Sequence, residues 1–165
     1  MKASATTAPP VARPSTGAVN KLGPYVFHAR WAVALTSPFL YACVVPFALL
    51  DLFASVFQAV CFPVYGIPKV RRGEYFIYDR ARLPYLNALE RINCYYCSYA
   101  NGLAAYVGEI AARTEQYWCP IQHASDPKAP HSRYPHFLRY GDADEYRERG
   151  ADVSKKFDDV QPPRD

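Results

Sequence analysis

The sequence predicts a mainly α-helical protein: a membrane-embedded helix or bent helical hairpin, followed by a small helical cytoplasmic domain with a short strand. Three features predict it. Trp31 to Leu50 is a run of 20 residues without a charge, about what a helix needs to cross ~30 Å of hydrocarbon. Further along, apolar residues recur every three or four positions in two stretches, the helical period. Cysteines and a histidine then fall into a spaced pattern, Cys94-x2-Cys97 and Cys119-x3-His123.

A chain of 165 residues has material for one domain. Its 15 prolines work against long uninterrupted helices across most of its length. The net charge of +4 matters less than its distribution. Residues 1–30 carry Lys2, Arg13, Lys21 and Arg30 and no acid, and residues 31–68 carry Asp51 alone. The remainder holds fifteen basic and fourteen acidic residues. A nucleic-acid binder would concentrate its basic residues on one face, so no nucleic acid is expected as a partner.

Residues 1–28, rich in Ala, Thr, Pro and Ser, are predicted to form a disordered tail. The apolar run begins only at Trp31 and no small-residue cleavage motif follows it, so the tail is not expected to be a secretory signal.

Residues 29–68 are predicted to be the membrane-embedded segment. A straight helix over 31–68 would reach about 57 Å, nearly twice the apolar thickness of a bilayer. Pro38, Pro46 and Pro63 interrupt the run, and Asp51 sits near its middle. Asp51, Ser55 and Gln58 fall at i, i+4 and i+7, one polar stripe on a second helix over 51–61. That stripe is the expected contact with other membrane protein subunits. Two layouts follow: 31–50 spans and 51–67 lies in the interface, or both pieces form a hairpin. Lys69, Arg71, Arg72, Arg80 and Arg82 crowd the exit, which puts the following domain on the cytoplasmic side of the inner membrane.

The stretch 69–140 is predicted to be a small helical metal-binding domain. "GEYFIYD" (73–79) reads as a short strand by its aromatic content. A helix over about 83–93 follows, with Pro84 in its first turn. Another is expected from a cap at Asn101 to Pro120, with Glu109 and Arg113 as an i, i+4 ion pair. Residues 141–165 are predicted to be a mostly disordered tail containing one short solvated helix.

Cys94, Cys97, Cys119 and His123 make a ligand set suited to zinc, which takes four thiolate or imidazole donors in a tetrahedron. Iron or an iron–sulfur cluster would also accept such donors. A filled set is structural and leaves no open position for substrate. One difficulty is visible in the spacing. A helix over 102–118 would be roughly 25 Å long and would hold the two pairs at its opposite ends. The plain alternative is a group of packed cysteines and a surface histidine.

The block "RINCYYCSYANGLAAYVGEIAARTEQYWCPIQHA" (91–124), preceded by "LLDLFASVFQAVCFPVYGIPKVRR" (49–72), resembles a family of small bacterial membrane-associated proteins with a CxxC…CPxxH block. The resemblance covers about residues 28–124. It implies membrane attachment and brings no activity or ligand assignment with it.

No Ser/His/Asp set, phosphate-cradling glycine loop or dinucleotide fingerprint occurs. The functional expectation is therefore a membrane-anchored, metal-stabilised accessory or assembly subunit of a larger membrane complex. The alternative is a thiol redox or electron-transfer protein in which Cys94 and Cys97, at a helix start, exchange electrons.

Overall fold

The structure, a computed structural model, describes residues 31–160. The tail expected over 1–28 lies outside the described residues. The architecture is mainly helical: α1 (Trp31–Ala42), α2 (Val44–Tyr65), α3 (Ala88–Trp118) and α4 (Ala143–Lys155), with short 3-10 turns between them.

α1 and α2 are one nearly continuous rod, and Ala34–Tyr65 is a helical stretch of 32 residues. Its one irregularity is at Cys43. Pro46 has no N–H to give the Ala42 carbonyl, and Cys43 N–H bonds Leu40 O, three residues back in place of four, at 3.3 Å. The hairpin layout is therefore not formed. A proline removes one helical hydrogen bond but supplies no reversal, and the chain first reverses at Gly66. There the left-handed φ of 71° closes the helix, and Ile67 N–H bonds Phe62 O at 2.9 Å, the usual glycine C-terminal arrangement.

Residues 66–87 then run back along α2. Val70 lies beside Gln58, Arg72 beside Asp51, and Arg80 beside Ser98. The strand expected over 73–79 is absent; the segment holds 3-10 turns at Arg72–Glu74 and Asp79–Arg82. Its aromatic residues read as strand formers, but they pave α3 instead. Tyr75 meets Tyr106, Phe76 meets Tyr99 and Tyr78 meets Tyr95, with ring centroids 5.9–6.0 Å apart.

α3 fuses the two helices expected over 83–93 and 101–120 into one of 31 residues. Its start is set by Asn87, not Asn101. Asn87 Oδ1 accepts from Glu90 N–H at 3.0 Å, and Glu90 returns a bond to Asn87 N–H at 2.9 Å, a complete capping box. Asn101 sits mid-helix and donates to Cys97 O at 2.8 Å.

The return segment makes α3 run parallel to α2. Tyr41 packs on Tyr96, Asp51 bonds Tyr99, Gln58 bonds Tyr106, and Tyr65 stacks on Tyr117. The core between them joins Phe62, Ile67, Val70, Leu103, Tyr106 and Ile110.

Gly102 is where the return segment approaches most closely. A Cβ there would lie 2.7 Å from the Tyr75 carbonyl oxygen, whereas one at Gly108 would meet nothing within 4 Å. Alanine in a helix interior is favoured over glycine by about 1 kcal/mol, and overpacking costs about 1–3 kcal/mol. Gly108→Ala is therefore expected to raise the urea midpoint in detergent. Gly102→Ala is expected to lower it, with a net loss of about 1 kcal/mol.

The expected solvated helix after residue 141 is α4, but the segment does not trail away. Val153 and Phe157 are buried, and Gln116 donates to Val153 O at 3.0 Å and Lys156 O at 2.6 Å. Two apolar residues one turn apart are enough to dock residues through Val160 on α3.

Candidate membrane-contact face

α2 presents two opposite faces. Asp51, Ser55, Gln58 and Phe62 follow the spacing of one helical stripe, and this stripe is turned inward. Asp51 is held by both terminal guanidinium nitrogens of Arg72, one of them at 2.6 Å. It also accepts from Tyr99 OH at 3.0 Å and Ser55 OH at 3.3 Å. The Asp51 carboxylate pushes the Arg72 guanidinium further above its already high range. Burial, and then the bond to Asp51, pushes the Tyr99 phenol up.

Seven residues on, Gln58 accepts from Val70 N–H at 2.7 Å and donates to Val70 O at 3.2 Å and Tyr106 OH at 2.6 Å. These groups satisfy the polar stripe inside the chain. Asp51, Ser55 and Gln58, the residues expected to meet other subunits, turn their donors and acceptors to one another, to the return segment and to α3. A charge in an apolar run does need a counter-ion, and Arg72, 21 residues on, supplies it.

The opposite face of α2 is apolar and open. Leu49, Leu52, Phe53, Val56, Val60 and Val64 are all exposed, Phe53 at 69% and Val64 at 77%. The rod is long and apolar enough to cross a membrane, and only 6% of its most apolar window is buried. Between α2 and α3 the face continues into an open cleft of about 610 Å³, lined by Leu50, Phe53, Phe57, Val107, Ala111 and Trp118 among others.

The four expected metal ligands are not brought together. Cys94 and Cys97 lie in the second and third turns of α3, and Cys119 caps its far end. The 22 residues from Cys97 to Cys119, in unbroken helix, separate them by about 33 Å. His123 is exposed beyond that end, stacked on Tyr134. Among the described residues no three His, Cys, Asp or Glu side chains are grouped as metal ligands. The reason is the continuity of α3, which runs unbroken from Ala88 to Trp118 and leaves no loop between the pairs to fold back. Continuity also takes Cys94 and Cys97 away from a helix start, the setting the thiol-exchange alternative relied on, since free backbone N–H groups occur only in the first turn.

A second polar centre went unseen in the sequence. Arg133 is buried and bonds Glu109 at 3.2 Å, Gln116 at 2.9 Å and Asp159 at 3.0 Å, with Phe157 under its guanidinium. Glu109 also receives Arg113 at 2.8 Å, as its i, i+4 spacing predicts.

No family model, no curated protein and no solved structure matches the chain.

Proposed function

We propose that the protein is a membrane-attached accessory subunit without catalysis of its own, held on the cytoplasmic face of the inner membrane by α1 and α2. The observation that supports this reading is the bare apolar side of α2, directly opposite a stripe already satisfied within the chain. A contiguous apolar face of this kind, rimmed by polar residues, marks a contact surface. The basic residues Lys69, Arg71, Arg72, Arg80 and Arg82 beyond the rod support the cytoplasmic placement. The polar surface of the return segment and α4 is then what larger assemblies meet, in place of the Asp51 stripe.

Membrane fractionation tests the attachment. The full chain is expected in the membrane pellet, resistant to high salt and released by detergent. The double variant Phe53→Lys, Val60→Lys removes two exposed apolar side chains that the bilayer would cover, about 1.5 kcal/mol or more each, so its partitioning is expected to fall at least about 150-fold. A wild-type chain that stays in the supernatant overturns the reading. The accessory role is tested by particle mass in mild detergent, where a lone protomer under every condition would count against it.

A further inference from the structure

We infer that the protein lies along one leaflet, with α2 parallel to the bilayer surface, and does not cross the membrane. This rests on the membrane attachment proposed above and adds its geometry. The first argument is length. The rod of 32 residues is about 48 Å long. Fitting it across ~30 Å of hydrocarbon would require a tilt of roughly 50°, beyond the usual 0–40°.

The second argument is what runs beside it. From Tyr41 to Tyr65 the rod is accompanied by α3, starting at the Tyr41–Tyr96 contact and ending at Tyr65–Trp118. The return segment lies beside both. Arg72 is paired with Asp51, Arg80 reaches Ser98, and Arg113 donates to Pro68 O at 2.7 Å. Glu74, Asp79, Arg80 and Arg82 are exposed on that segment. A crossing rod would carry these charges to mid-bilayer, where they are costly. Only Trp31–Leu40 extends past the paired stretch, about 15 Å of helix and half a hydrocarbon layer.

The third argument is segregation. On α2 the return segment touches Asp51 and Gln58, while the exposed apolar residues Leu49, Phe53, Val56, Val60 and Val64 point the other way. On α3 it touches Ser98 and Gly102, while Val107, Ala111 and Trp118 open into the apolar cleft shared with α2. The occupant this face fits is the headgroup–acyl boundary of a bilayer, which takes an apolar helix face lengthwise with charges kept above it. Trp31 and Trp118, both exposed, suit that depth.

Two measurements on the full chain test this. With a peptide tag at each end, protease added outside sealed vesicles of one orientation is expected to cut both tags or neither. One tag cut and the other protected overturns the inference and leaves the attachment intact. Absence from the vesicles altogether overturns the attachment itself. Spin labels at Leu49→Cys, Val56→Cys and Val64→Cys, each in a background with the five native cysteines replaced by serine, are expected at one common shallow depth. A label at Ala111→Cys is expected in lipid with them. A depth that changes steadily over the ~22 Å between positions 49 and 64, or a label in water at position 111, overturns the arrangement.

Discussion

Replacing Arg133 with alanine is expected to destabilise the protein by about 3 kcal/mol and to free its C-terminal segment from α3. The guanidinium is buried against Glu109, Gln116 and Asp159. Removing one partner of a buried charge pair costs about 3–5 kcal/mol. The low end applies here, because Glu109 keeps Arg113 as a counter-ion at 2.8 Å and the Asp159 side chain is 65% exposed. The loss has a location. Gln116 is shared between Arg133 and the carbonyls of Val153 and Lys156. Freeing Gln116 and uncovering Phe157 loosens α4 at both of its anchors. Limited proteolysis is therefore expected to cut near residues 141–160 in Arg133→Ala well before the α2–α3 core opens. Arg133→Lys keeps the charge but not the fork, so an intermediate loss is expected. Wild-type protection of α4 in Arg133→Ala would show that Val153 and Phe157 hold it without the clamp.

The sequence carries periodic information well and long-range information poorly, and this chain shows where the boundary falls. The spacing of Asp51, Ser55 and Gln58 placed them on one face of α2, and the structure has them on one face. What occupies that face was not legible, because Arg72, Tyr99 and Tyr106 lie 21 to 48 residues away. A lone acid in an apolar run asks for a cation, and the nearest ones after it are Lys69, Arg71 and Arg72. That signal narrows the choice without making it.

The break expected near residues 94–101 rested on taking Asn101 as a helix cap, and local preference agrees with it. Cys, Tyr, Ser and Asn are mediocre helix formers. Packing reverses the preference, since Tyr96 and Tyr99 sit one turn apart and meet Tyr41, Phe47, Asp51 and Phe76. The better signal was Asn87-x2-Glu90, the capping box that opens α3. The metal reading depended on the same break. Spacing between ligand pairs measures chain length, and the distance it spans depends entirely on whether the chain between is helix or loop. Arg133 left no signal at all, as nothing in "HSRYPHF" marks its arginine as buried.

The deepest loss in the α2–α3 seam is expected from Gln58→Leu, about 3–5 kcal/mol. One side chain there serves three buried groups: the N–H and carbonyl of Val70 and the hydroxyl of Tyr106. Leucine fills a similar volume, so packing changes little, but it leaves all three without a partner. Each orphaned buried polar group costs about 1–3 kcal/mol. Gln58→Glu separates hydrogen bonding from shape. A carboxylate still accepts from Val70 N–H and from Tyr106 OH, and only the Val70 carbonyl loses its donor, so a loss of about 1–3 kcal/mol plus the cost of burying a charge is expected. Tyr106→Phe removes a single bond and is expected to cost about 1 kcal/mol. Hydrogen exchange at the Val70 amide is the direct reading, with fast exchange in Gln58→Leu and retained protection in Tyr106→Phe. If all three variants lost equal stability, Gln58 would be acting through packing and not through its bonds. The return segment would then be held to α2 by apolar packing around Phe62, Ile67 and Val70 and by the Asp51–Arg72 pair.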